Sequence, residues 1–306
     1  YSLADSKSFI KAFKNLELSI CFSQKNDETA SLSKYVAASN HYLESWCDYE
    51  FKTGEYSLAQ PVIKTLFNTK QFQDLLLVWA GSKSSYHDFI KANWKKNILE
   101  NGNWNQSLHD GIFNKKSKNI SKGNFISQNR ISSKKLKYFQ INQDSNLNKL
   151  ELNLYSKTGM GDGQQANNPW LQEFPDPLTR ATWDNYLTIS EHDAKNLNLL
   201  LESSTFFKQS RNNANGGLNG KYAIIKLNSK TIKVPVMIQP GQAKGTVGLS
   251  YGYGRSKGLK EEMMTGVNAF HFYENFNPFQ LIEIEATDDI HEFACMQLQN
   301  TLMGRG

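Results

Sequence analysis

The chain has 306 residues, with 35 Lys and Arg against 29 Asp and Glu, a formal charge of +6 and a pI near 9.0, and it is long enough for one large or two medium domains with their own cores. Its three cysteines, Cys21, Cys47 and Cys295, stand far apart, which excludes a C-x-x-C zinc or iron–sulfur ligand set and gives no disulfide framework. The longest apolar run, Leu75 to Ala80, is far short of the roughly 18 to 20 residues a helix needs to cross a bilayer.

In chain order, Ser6 to Leu16 reads as a helix, with Phe9, Ile10, Phe13 and Leu16 at helical spacing. Leu18 to Phe22 alternates like a strand, and Asp27-Glu28-Thr29-Ala30 reads as the cap of a helix running through Tyr35. Strand, polar turn and helix in this order fit part of an α/β layer. Phe72 to Trp79 predicts an apolar helix packed on the same core. Ser85 to Leu99 predicts another, with Tyr86, Phe89, Ile90 and Trp94 on one stripe. From about Asn101 to Asn148 the composition turns to Asn, Ser and Lys and loses periodicity, which places a linker or insertion there.

From Leu150 the pattern is β-rich. Leu150, Leu152 and Leu154 alternate, Asn185 to Ile189 is a short strand, and Ser190 is placed to cap the helix that follows. Tyr222–Leu227, Thr231–Gln239, Thr246–Tyr251 and Ile282–Ala286 complete a set of short strands with Gly, Pro and Asn turns, the pattern of a small closed barrel. The division is then 1–100, an α/β part; 101–149, a basic insertion; and 150–306, a barrel domain.

The positive charge is local. Nine Lys and Arg fall between Lys115 and Lys149 against Asp144 alone, a run that reads as a solvated loop. It interleaves few aromatics, so a nucleic-acid partner is not expected. The chain opens on Tyr1 without a methionine and is read as a piece of a longer protein, so the lack of a targeting signal carries no information.

The richest stretch is Tyr155 to Asp176, YSKTGMGDGQQANNPWLQEFPD. Gly159, Gly161 and Gly163 permit close backbone approach, and Gln164, Gln165, Asn167 and Asn168 offer both donors and acceptors. A ligand loop and a tight structural crossover both satisfy this composition. Tyr251-Gly252-Tyr253-Gly254-Arg255 ends a strand with an arginine suited to bidentate binding of phosphate or carboxylate; a barrel turn with a surface arginine is the alternative. It is not a dinucleotide fingerprint, and there is no P-loop or nucleophile elbow. Glu44, Asp48 and Glu50 form either a carboxylate cluster or ordinary surface charges. The six histidines form no short-spaced pair and read as structural.

The segments GMGDGQQANNPWLQEFPDPLTRATWDNYLTISEHDA and VPVMIQPGQAKGTVGLSYGYGR resemble the C-terminal dinucleotide-binding domain of the molybdopterin oxidoreductase superfamily. ETASLSKYVAASNHYLESWCDYE resembles the end of its preceding α/β domain. GLKEEMMTGVNAFHFY and ACMQLQNTLMGRG are most similar to the large iron–sulfur/molybdopterin-like subunit of bacterial alternative complex III, a quinol:cytochrome c oxidoreductase. The resemblance implies a mixed α/β and β fold, a partial α/β domain followed by a six-stranded double-psi β-barrel. It implies that Thr158, Gly159, Gly161, Asp162, Gln164, Asn168, Asn185, Gly252, Gly254 and Arg255 descend from residues facing a molybdopterin guanine dinucleotide.

In the alternative complex III branch the resemblance further implies loss of that cofactor, with iron–sulfur clusters only in a domain downstream and the metal-ligating residue upstream. The expected role is then a cofactor-less, non-catalytic scaffold within an oxidoreductase subunit. Its expected partners are the other subunits of a membrane-bound respiratory complex at the periplasmic face of the bacterial inner membrane, with no span of its own. The alternative is part of a catalytic molybdopterin-dependent enzyme acting on a small molecule such as a sulfur oxyanion. Cys47 stands where relatives commonly carry glycine in an E-S-W-G-D pattern, a departure expected to alter a local turn.

Overall fold

The structure, a computed structural model, describes residues 1–115, 149–201, 218–273 and 279–295. In chain order, helix α1 (Ser6–Lys14) precedes strands β1 (Ile20–Cys21), β2 (Tyr35–Val36), β3 (Cys47–Lys52) and β4 (Glu55–Ala59). Helices α2 (Phe72–Trp79), α3 (Tyr86–Asn93) and α4 (Trp104–Asp110) follow, then strands β5 (Ile112–Asn114) and β6 (Lys149–Tyr155). Next come α5 (Pro169–Glu173), β7 (Leu187–Ile189), α6 (Glu191–Asn196), β8 (Leu218–Leu227), β9 (Lys230–Ile238), β10 (Thr246–Ser250) and β11 (Phe279–Phe293). Two compact units result: Tyr1–Glu17, Asp27–Leu32 and Gln143–Gly306 form one, and Leu18–Asn26 with Ser33–Asn142 form the other.

The first unit is built on a closed barrel of strand order β10-β6-β11-β8-β9-β7. Two pairs are parallel, β10 with β6 and β7 with β9, and the rest are antiparallel. Parallel partners cannot be joined by a hairpin, so the two pairs interlock through long connections, the double-psi arrangement the resemblance implied. The period-two pattern explains the core. Leu150, Leu152 and Leu154 all point inward, joined by Ile225, Val234, Leu249 and Ile282 from the other strands. Ser190 caps α6 as expected, its Oγ accepting from Asp193 N–H at 3.1 Å.

Strand β11 runs well past the expected Ile282–Ala286. Its polar second half lacks an apolar stripe to read, and the pairing with β8 extends it across a register shift between Ala286 and Ile290.

The second unit centres on Trp94, fully buried with Ile90, Ile98, Leu99 and Trp104. Helix α3 continues through Trp94 as a π-helical turn, Trp94–Ile98. A three-stranded sheet, β3-β4-β5, packs on this cluster through Tyr56, Leu58 and Phe113. Asp48 on β3 accepts from Trp94 Nε1 at 2.9 Å and Tyr86 Oη at 3.1 Å, giving both aromatic donors a half-buried partner.

Three expectations are corrected here. The segment after Asp27 is a single 3₁₀ turn, Ala30–Leu32, not a helix through Tyr35. Asp27 Oδ1 holds the turn from Ala30 N–H at 2.9 Å; Lys34 and Tyr35 N–H then bond Ser19, and the chain enters β2 beside β1. Helix α2 has no buried residue: Leu76, Val78 and Trp79 are exposed, and its Phe72 and Trp79 rings lie against that of Phe22. The stretch read as a linker or insertion from 101 holds α4 and β5. Asn103 caps α4 by accepting from Asn105 N–H, and Gly111 ends it at φ +72°. The basic run, apart from Lys115 and Lys149, falls at 116–148, outside the described residues.

Candidate functional site

The loop after β6 and the strand end after β10 do meet. Gly163 and Gly252 lie face to face with left-handed backbones, φ +89° and +102°; a Cβ on Gly163 would fall 2.9 Å from Gly252 O and 3.0 Å from its Cα. Only glycine on both sides allows this approach. A Cβ on Gly254 would reach 2.2 Å from Asn268 N, so this glycine too is spent on backbone packing.

Asp162, Gln164, Asn168 and Asn185 are bonded within the protein. Asp162 accepts from Gln164, at 3.0 Å from its N–H and 3.1 Å from its Nε2. Asn168 caps α5 by accepting from Trp170 N–H at 3.0 Å, with Pro169 opening the helix. Asn185 is wholly buried: its Nδ2 donates to Ser250 O (2.8 Å) and Val267 O (2.9 Å), and its Oδ1 accepts from Val267 N–H at 2.8 Å. Thr158 and Gly159 border a cleft with Phe174 and Tyr253 whose free volume is about 10 Å³, room for about one water. Gly161, at φ +52°, is unobstructed.

Arg255 is the decisive residue. Its Nε donates to both Glu28 oxygens at 3.1 and 3.0 Å, Nη2 donates to Glu28 Oε2 at 2.6 Å, and Nη1 donates to Gly163 O at 2.8 Å. Tyr1 lies under the guanidinium, 4.4 Å from ring centre to Cζ, and donates its own hydroxyl to Tyr253 O. Glu28 also accepts from Ser256 N–H at 2.9 Å. Burial pushes the Glu28 carboxyl up, but the Arg255 and Ser256 hydrogen bonds outweigh it and hold the group below its ordinary value. The anion that Arg255 was expected to meet is this carboxylate. In this arrangement Arg255 is engaged by Glu28 and Gly163, Asn185 is bonded inward, and Gly163, Gly252 and Gly254 are packed on backbone, while Gly161 stays open.

Sequence reasoning missed Glu28 and Lys157. Lys157 is 7% exposed. Its Nζ donates to Asp184 O at 3.0 Å and sits 4.0 Å from the Tyr186 ring centre and 5.2 Å from that of Tyr253. Burial lowers its pKa to about 8, with Asp176 and Asp184 pulling the other way. Asp184 Oδ2 lies 2.8 Å from His291 Nε2, and His291 Nδ1 lies 2.8 Å from Tyr222 Oη. This polar chain ties the loop to β8 and β11. The partners are separated by dozens of residues, and no local signal exposes them.

Glu44, Asp48 and Glu50 are not a cluster. Glu44 accepts from His41 and Leu66 N–H, Asp48 from Tyr86 and Trp94, and Glu50 from Gly54 N–H. Cys47 sits in β3 opposite Ala59, not in a turn. Among the described residues no three His, Cys, Asp or Glu side chains converge as a metal site, and no helix is long and apolar enough to cross a membrane.

No family model and no curated protein matches the sequence. Solved structures do: 34 chains match, among them acetylene hydratase from Pelobacter acetylenicus, with a TM-score of 0.56 and 16% identity over 88% of this chain. The chain spans 38% of the length of that structure. Identity at this level speaks for architecture and not for activity. The fold, a mixed α/β part with a closed six-stranded barrel, is shared with that structure.

Proposed function

We propose that this chain is a structural part of the peripheral electron-transfer subunit of a respiratory quinol:cytochrome c oxidoreductase of the alternative complex III type, and that its barrel no longer seats a pterin dinucleotide. The observation that carries the reading is the internal pairing of Arg255 with Glu28 and Gly163. A charge-assisted, bidentate partner at this position competes directly with a diphosphate oxygen. Displacing it would strand a half-buried carboxylate.

The finer assignment rests on the wording of Gly258 to Tyr273 and Ala294 to Gly306. The partners it calls for are the other subunits of a membrane-bound complex, on the periplasmic side, with iron–sulfur clusters held outside this region. Metal and pterin analysis of the intact protein tests it. The expected result is no stoichiometric molybdenum or tungsten and no pterin fluorescence in extracts. Stoichiometric metal with extractable pterin would overturn it in favour of a catalytic molybdopterin-dependent enzyme acting on a small molecule such as a sulfur oxyanion.

A further inference from the structure

A second cleft of about 600 Å³ opens beside α5, within the size range of small-ligand sites. Trp183, Leu259 and Met263 line it together with the exposed Glu173 and Glu262. Asn167 also lines it, and the side-chain Oδ1 of Asn167 is buried with no hydrogen-bond partner in the protein. A buried acceptor left unbonded is uncommon in a folded protein and asks for a donor.

The walls are held in place. Trp183 has φ +66°, a backbone conformation that is an outlier for a bulky residue and persists only where the surroundings enforce it. Here its N–H donates to Gln172 O at 2.9 Å, and its C=O accepts from Thr265 Oγ1. Gln172, 2% exposed, bridges the two sides of the cleft: its Nε2 donates to Ala166 O at 3.1 Å and Met263 O at 3.3 Å. The strained tryptophan and the buried glutamine therefore present a preformed aromatic face.

The charge of the lining residues selects the ligand. Glu173 and Glu262 outnumber Lys260, whose ammonium lies 4.0 Å from Glu262. Two carboxylates repel an anion. An indole face and carboxylates together suit a cation on a short apolar stem. We propose that this cleft binds an alkylguanidinium or alkylammonium group, carried either by a free amine or by an arginine or lysine side chain of a polypeptide. The inference stands apart from the scaffold reading, because it uses none of the residues of that site.

The test is a titration of the full 306-residue chain followed by the indole N–H resonances, with that of Trp183 assigned by its loss in Trp183→Phe. n-Butylguanidinium should shift the Trp183 resonance saturably, and n-butanol and butyrate should not. Joint replacement Glu173→Gln and Glu262→Gln, both on exposed side chains, should weaken the guanidinium about five-fold at low salt. A tighter fit for acetyl-Gly-Arg-Gly-amide than for n-butylguanidinium assigns the cleft to a polypeptide side chain; equal affinity assigns it to a free amine. No saturable shift, an equal response to n-butanol, or unchanged affinity in the doubly neutralised chain overturns the proposal.

Discussion

The two units differ in how they dispose of apolar surface. The barrel closes on itself, so every one of its strands has two neighbours and no open edge remains. Its core draws on all six strands and on Ala269 and Phe272. Among the described residues, the other unit's apolar core is Trp94 with four buried neighbours, and Val62, Leu66, Phe67, Val78 and Trp79 are left exposed. Its parallel pair β1–β2 stands as a two-stranded sheet with Tyr35 and Val36 exposed, although parallel strands are ordinarily covered on both faces. Closure, more than hydrophobic content, is what separates a self-sufficient core from an apolar surface that calls for cover.

The largest break in this comparison comes from the barrel interior. Leu152→Ala or Ile282→Ala, each at a fully buried position, should lower stability by about 2–5 kcal/mol. The matched truncation Leu66→Ala, on an exposed side chain, should stay within about 0.5 kcal/mol. Denaturant unfolding of the three variants measures both. Equal losses would mean that the second unit's surface is covered in solution.

Next in size is the ion pair that fills the expected anion site. Arg255→Leu should destabilise the barrel unit by about 3 kcal/mol, because it strands the Glu28 carboxylate and the Gly163 carbonyl, and Glu28→Gln should cost less. Arg255 and Glu28 side chains are 13% and 19% exposed, so salt should screen the pair only weakly. The Glu28 carboxyl is held below its ordinary value of 4.5. Its contribution is therefore present above that pH and is lost as pH falls through the lower folded value. Acid unfolding of Glu28→Gln should lack this component. Identical acid profiles for the two chains would remove the pair from the account of stability.

What the sequence made legible was local. The alternation of Leu150, Leu152 and Leu154 announced an inward-facing strand, and Ser190 three residues before Asp193 announced a helix start. The loop and strand end at Gly163 and Gly252 could be named together only through family resemblance. Their face-to-face contact needs the barrel closed. Glu28 and Arg255 lie 227 residues apart, so no spacing could pair them. The left-handed Trp183 was invisible because nothing local permits it; Gln172 and Thr265 impose it from outside. Helix α2 misled in the opposite direction. Phe72 to Trp79 is apolar on nearly every side, which ordinarily signals burial, yet the described structure leaves it uncovered.

Lys157 sharpens the contrast at smaller amplitude, because it is an ionisable group buried beside the barrel against the Tyr186 and Tyr253 rings. Its pKa is lowered to about 8 by burial, whereas in the unfolded chain it titrates near its ordinary 10.5. Between those values the unfolded chain binds more protons than the folded one, so this group makes stability rise with pH by at most about 1.4 kcal/mol per pH unit. NMR of reductively ¹³C-methylated lysines should show one resonance, absent in Lys157→Met, with a midpoint near 8. A midpoint near 10 would mean that water reaches the ammonium and that the Tyr186 and Tyr253 rings do not enclose it.

The smallest effect on stability belongs to α2, and it is the one that tests the second unit. Leu76→Lys with Val78→Lys replaces exposed apolar side chains on a helix with no buried residue. Stability should change by no more than about 0.5 kcal/mol, since neither side chain leaves a core. Association should change much more. Exposed apolar side chains on α2, Trp79 among them, drive contact between chains, and two ammonium groups among them oppose it. Sedimentation of the parent chain should show concentration-dependent self-association that the double variant lacks at equal fold content. If the parent chain is monomeric at all concentrations while α2 stays helical, then apolar exposure in this unit is tolerated without cover. The contrast with the barrel would then reduce to edge closure alone.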